Sequence, residues 1–145
     1  MNGRRDQPGL ALRMQRETRV ISAQHRQLDD FYLRVSTALH AGESERARAA
    51  FARFADALEA HLALEDGLYF PALRGLVPAL ERDLERLCDE HQQLREHLAQ
   101  VARSIEREAC EPCARLLERF AGDLAEHEGR EEGLLASIQN RGERN

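Results

Sequence analysis

The sequence predicts an all-α protein, an antiparallel up-down-up-down four-helix bundle with an internal pseudo-two-fold repeat. Three observations carry this. Ala, Leu and Arg occur 21 times each and Glu 18 times in 145 residues, and all four are good helix formers. Val, Ile and Thr together number nine, too few for a sizeable sheet. Apolar residues recur at alternating steps of three and four along four segments of about 25 to 30 residues, the stripe that faces a bundle centre.

The elements follow in order. Residues 1–16 hold Gly3, Pro8 and Gly9 with little apolar content and read as a flexible N-terminal tail. The bundle takes 17–140, and 141–145 form a C-terminal tail. The first stripe is Ile21, His25, Leu28, Tyr32, Val35 and Leu39, ending at the break Ala41-Gly42-Glu43. The second is Phe51, Phe54, Leu58, His61, Glu65 and Leu68, ending in a break from Pro71 to Pro78. The third runs Val77, Leu80, Leu84, Leu87, His91, Leu94, Leu98, Val101 and Ile105, with a break from Cys110 to Cys113 around Pro112. The fourth is Cys113, Leu117, Phe120, Leu124, His127, Glu131, Leu134 and Ile138. Segments of this length with short connections suit an antiparallel bundle.

Composition excludes several classes. No apolar run nears the roughly 20 residues that span a bilayer. The polar first 16 residues lack an apolar signal core, which predicts a cytoplasmic protein. Three Cys do not make a disulfide framework, and a net charge of −5 gives no general reason to bind nucleic acid. The expected partners are a small ligand, no membrane and no nucleic acid, in a monomer or homodimer whose protein partner the sequence does not name.

Four His and two Glu occupy stripe positions that should be apolar. Such groups are costly near a bundle axis unless they share a partner. A shift of 66 residues places His25 on His91, His61 on His127 and Glu65 on Glu131 without a gap. Ile21 then falls on Leu87, Phe54 on Phe120, Leu68 on Leu134, Gly67 on Gly133 and Asp66 on Glu132. Two helical hairpins share apolar spacing by default, but not three ligand-type residues at identical spacing. Counted from turns near 42 and 110, His25 lies 17 residues before, His61 19 after, His91 19 before and His127 17 after. All four thus sit at one level.

His61 and Glu65, like His127 and Glu131, stand one helical turn apart and offer an imidazole and a carboxylate to one region. Four imidazoles and two carboxylates suit iron, manganese or zinc. A single ion rarely needs two such carboxylates. Two ions do: each takes two His, both Glu bridge, and an oxo or hydroxo bridge completes a pair of non-haem Fe ions, with Zn or Mn as substitutes. A position remains for O2, peroxide or nitric oxide.

The ordered set His25, His61-x-x-x-Glu65, His91, His127-x-x-x-Glu131 resembles the hemerythrin-like domains that bind cations through a His-His-Glu (HHE) pattern. The stretch His61-Leu-Ala-Leu-Glu65-Asp-Gly-Leu-Tyr-Phe-Pro71 belongs to that likeness, which covers about residues 18–138. The resemblance implies a four-helix bundle with a di-iron centre, Glu65 and Glu131 bridging and the four His terminal. Oxygen-carrying members have a fifth His one turn from another on the third helix; here the positions four before and after His91 are Leu87 and Arg95. That departure resembles the symmetric four-His variant of iron-sensing, nitric-oxide-responsive or peroxide-handling relatives. A ferritin-like centre needs Glu-x-x-His, and no His here has Glu three residues earlier.

The expected function is a di-iron protein that binds, senses or reacts with O2, peroxide or nitric oxide. The alternatives are a catalase- or peroxidase-like or nitric-oxide-reducing enzyme, and an iron store, carrier or metal sensor without catalysis. No residue outside the metal shell is a persuasive general acid or base, so the sequence does not decide whether the protein is an enzyme.

Other residues receive plainer expectations. His40 caps the first helix, His97 is solvated, and Asp29 flanks the stripe without being a ligand. Cys110-Glu-Pro-Cys113 lies at a turn and Cys88 packs as a small hydrophobe. Tyr32 and Tyr69 border the core. Leu28, Leu58, Leu62, Leu94 and Leu124 line a dry ligand pocket. Gly67 and Gly133 admit a close neighbour.

Overall fold

A computed structural model of the chain describes residues 7–107 and 110–144. Among them every regular element is helical: α1 (Gln7–His40), α2 (Ser44–Leu64), a π-helical turn (Glu65–Tyr69), α3 (Phe70–Leu76), a 3₁₀ turn (Pro78–Leu80), α4 (Glu81–Glu106) and α5 (Cys110–Arg144). α2, the π turn and α3 run on as the second long helix of the bundle. α1 packs against α2 and α5, and α4 against α5 and α2. This is the expected four-helix arrangement.

The first connection is built as expected. Gly42 takes φ 71°, its N–H reaches Leu39 O at 3.1 Å, and the Glu43 N–H reaches Ala38 O at 3.0 Å. This is a Schellman turn, whose left-handed residue favours glycine. His40 Nδ1 lies 2.8 Å from Ser36 O, at the helix end it was expected to cap.

Four boundaries differ from the sequence reading. α1 begins at Gln7, so residues 7–16 are helix rather than tail; residues 1–6 lie outside the described set. α5 continues to Arg144, so 141–144 are also helical. Pro112 falls in the first turn of α5, where a missing N–H costs no intrahelical bond. Pro71 likewise does not stop the second helix, which ends at Val77 with φ −134°. It follows the π turn, whose widened register is closed by the Phe70 N–H on Glu65 O.

That turn moves the buried face by one residue. Beyond Glu65 the buried residues are Phe70 and Leu73, five and eight positions on, while Leu68 is 58% exposed. Beyond Glu131, where the helix stays α, they are Leu135 and Ile138, four and seven on. Leu68 was expected in the core, and Leu134 in the place Leu135 takes. A π turn inserts one residue into the helical phase, so the 66-residue repeat slips there.

The polar layer divides the core in two. On the side of the first connection lie Leu28, Val35, Phe54, Leu58, Leu62, Leu94, Phe120 and Leu124. Phe54 meets Phe120 edge-on at 6.0 Å and Tyr32 at 6.4 Å. On the other side lie Ile21, Phe70, Leu73, Leu84, Leu87 and Leu135. Among the described residues no helix is long and apolar enough to cross a membrane.

Candidate metal centre

The layer between these cores contains six polar residues: His25, His61, Glu65, His91, His127 and Glu131, each at most 5% exposed. They are the six singled out from the sequence, and the fold brings all of them together. α1 supplies His25, α2 His61, α4 His91 and α5 His127. The π turn opens on Glu65, and Glu131 lies one turn beyond His127.

Each carboxylate reaches histidines of both hairpins. Glu65 Oε1 lies 3.0 Å from His61 Nε2 and 3.4 Å from His91 Nε2. Glu131 Oε1 lies 3.5 Å from His25 Nε2, and its Oε2 lies 3.5 Å from His127 Nε2. The Nε2 atoms of His91 and His127 are 3.0 Å apart. Ligand atoms of Glu65, His91, His127 and Glu131 converge within 4.8 Å, as do those of His25, His61 and Glu131. Each group could hold a metal ion, and Glu131 belongs to both.

An outer ring sets the imidazole orientation. The Nδ1–H of His61 donates to Gln24 Oε1 at 2.5 Å, that of His91 to Asp66 Oδ1 at 2.7 Å, and that of His25 to Glu132 Oε1 at 3.1 Å. His127 Nδ1 faces Glu90 Oε1 at 3.7 Å. In the first three, with Nδ1 as donor, Nε2 carries the lone pair and turns inward, as a ligating nitrogen can, while His127 Nδ1 has no hydrogen-bond partner. Gln24, Asp66, Glu90 and Glu132 were not assigned roles from the sequence. Yet Gln24 and Glu90 are related by the offset of 66, as are Asp66 and Glu132, so the repeat carried the signal.

The donor set fits a cation. Both oxygens of Glu65, both of Glu131 and His25 Nε2 are buried without a hydrogen-bond partner. Inward lone pairs facing carboxylate oxygens at 3.0–3.5 Å repel unless a proton or a metal ion stands between them. Buried polar atoms left so are expensive. The residues therefore fit a two-ion site in chemistry and in arrangement.

Titration behaviour reflects the same crowding. Burial, reinforced by Glu131, pushes Glu65 up to about 12. Burial works against charge on Glu131 too, but Glu65, His127 and His25 prevail and hold it low. Burial also opposes charging His25, yet Glu131, Glu128 and Glu132 outweigh it and raise the imidazole to about 9. Burial drops His61 to about 4, helped by its neighbouring imidazoles; burial, and then the imidazole of His127 beside it, lowers His91. Protons here take up the charge balance that bound cations would supply.

Phe70 stacks on His91 with ring centroids 5.4 Å apart. Phe70 is not among the residues expected about the centre from the sequence; the π turn brings this aromatic in. Leu28, Leu58, Leu62, Leu94 and Leu124 are buried in the larger core.

Other candidates fall elsewhere. Asp29 is exposed, and His97 pairs with Asp123 at 2.9 Å on the surface. Cys88, Cys110 and Cys113 are free thiols. Cys113 is fully buried, with its thiol pushed up by burial. Cys88 packs against the smaller core and donates to Asp66 at 3.4 Å. A Cβ added at Gly67 or Gly133 meets nothing within 4 Å, so the expected close approach does not occur.

Residues 16–138 match the hemerythrin HHE cation binding domain. No curated protein and no solved structure shows a significant match to the chain.

Proposed function

The chain belongs to the hemerythrin HHE cation-binding family, and from that premise we propose that it holds two non-haem iron ions and binds, senses or reacts with O2, peroxide or nitric oxide. His25 and His61 would hold one ion, His91 and His127 the other, with Glu65 and Glu131 bridging. The carrying observation is that the two oxygens of Glu131 face histidines of different hairpins, His25 and His127. One carboxylate so placed serves two ions. Manganese or zinc could occupy the same donors.

Bound iron would supply the redox chemistry and the coordination position for a small ligand. The chain's own contribution is to orient the imidazoles through Gln24, Asp66, Glu90 and Glu132, and to exclude bulk water with apolar packing on both sides of the layer. Ligand residues at most 5% exposed favour diatomic or peroxide-sized molecules over larger substrates.

The test combines metal content with the optical spectrum of protein purified with iron. About two irons per chain and a near-ultraviolet charge-transfer band, changed by peroxide, O2 or nitric oxide, support the proposal. Zinc alone, or no metal, removes it. Peroxide turnover selects an enzyme; reversible oxygenation selects a carrier.

A further inference from the structure

The two halves of the centre differ in what surrounds them. Behind His91, Asp66 is engaged by Arg95, whose Nη2 reaches Asp66 Oδ2 at 3.1 Å while its Nε holds both Glu59 oxygens at 3.1 and 3.2 Å. Behind His127, Glu90 is engaged by Arg130, whose Nε holds both oxygens at 3.0 and 2.8 Å. Each outer carboxylate on this side is pinned by a guanidinium. A cation approaching there meets two fixed positive groups.

Neither guanidinium stands in the α1–α5 seam beside His25, where among the described residues the groups that act on His25 and Glu128 are acidic. The Asp29 position, which the repeat pairs with Arg95, is acidic. Glu128 lies within electrostatic reach of His25, Asp29, Glu131 and Glu132. Glu132 is 49% exposed on its outer side and bonded to His25 on its inner side. Asp29 is exposed and Glu128 half-buried, so the three carboxylates grade from solvent inward along the α1–α5 seam. At its inner end stand His25 Nε2 and Glu131 Oε1, both unpartnered, in residues 4% and 1% exposed. His61 is backed by the neutral Gln24 where its repeat partner His127 faces Glu90.

We infer that the α1–α5 seam, marked by Asp29, Glu128 and Glu132, is the route by which divalent cations enter and leave, and that the His25/His61 position exchanges its ion faster than the His91/His127 position. The inference rests on the two-ion reading. An acidic funnel concentrates cations and raises their association rate. A neutral outer acceptor behind His61, where a carboxylate faces its repeat partner, loosens the ion held nearest that funnel.

The probe is Co(II), followed by its visible absorption in the metal-free full-length protein at pH 8 without oxygen. In wild type, two ions should bind, and a chelator chase should release one at least about tenfold faster than the other. His61→Ala should remove the fast ion and keep the slow one; His127→Ala should do the reverse. Asp29→Asn/Glu128→Gln should keep two ions but slow loading by about three- to tenfold at low salt, with the difference vanishing at high salt. Two ions leaving at one rate, or loading at wild-type speed in the double variant, overturns this inference alone. Fewer than two ions in wild type overturns it together with the two-ion reading.

Discussion

Replacing Glu65 and Glu131 together by Leu separates a metal centre from a merely structural polar layer. Both side chains are at most 1% exposed, and all four carboxylate oxygens lack hydrogen-bond partners. Leu is close in volume and removes the buried charge. Above pH 9, where His25 has given up its proton and no partner charge is stranded, such replacement of a buried ionic group by a fitting apolar one stabilises by about 1–4 kcal/mol. Taking ~2 kcal/mol, and ~2–4 °C per kcal/mol for a chain near 150 residues, chelator-treated E65L/E131L should melt ~4–8 °C above chelator-treated wild type. Metal must act in the opposite sense. One ion at a hundred times its Kd stabilises wild type by ~2.7 kcal/mol, a rise of ~5–11 °C, and the variant should show none. Circular-dichroism melts with and without Mn(II) or Zn(II) read both effects. A variant that melts lower than wild type in chelator makes the layer structural. A variant that keeps the metal-induced rise removes the carboxylates from the ligand set.

Three further outcomes are expected. His25 is raised from 6.5 to about 9, so its proton stabilises the metal-free fold fully below pH 6.5 and that stability is lost as pH rises to 9. The loss amounts to at most about 3 kcal/mol, and His25→Gln should reduce the slope of denaturation midpoint against pH across that window; an unchanged slope refutes the assignment. Phe54→Ala should cost about 3–5 kcal/mol in urea unfolding, because Phe54 is fully buried against Phe120 and Tyr32, while the metal ratio stays the same. Gly133→Ala should stabilise by about 0.5–1 kcal/mol, since the position is inside α5 and a Cβ there meets nothing; destabilisation would restore the close neighbour that the sequence suggested.

The fold was legible because a bundle writes its core as a one-dimensional stripe. Residues that break such a stripe are conspicuous, and His25, His61, Glu65, His91, His127 and Glu131 were found for that reason. The turn at Gly42 was legible because only glycine takes φ 71° without strain. Proline misled in two places. At Pro71 and Pro112 it marks a helix beginning or restarting, and the ring alone does not distinguish that from an ending. The burial of Phe70 in place of Leu68 was hidden for a further reason. A π turn is a change of hydrogen-bond register, and nothing in the 3.6-residue period announces where one residue will be inserted.

The outer ring was hidden in another way. Gln24, Asp66, Glu90 and Glu132 are polar residues beside a stripe, and a helix surface is full of such residues. Which of them turns toward a histidine depends on the neighbouring helix. His61 on α2 finds Gln24 on α1, and His25 on α1 finds Glu132 on α5. The repeat restores the missing information, because an accidental neighbour has no reason to recur. Asp66 and Glu132 recur as acceptors for His91 and His25, and Gln24 and Glu90 recur opposite His61 and His127. Where the repeat departs from itself, it marks the difference between the halves. Gln24 stands against Glu90, Asp29 against Arg95, and the π turn follows Glu65 but not Glu131. Two hairpins with identical inner donors can thus present unequal surroundings to two ions, and the inequality lies in residues outside the six that face the centre.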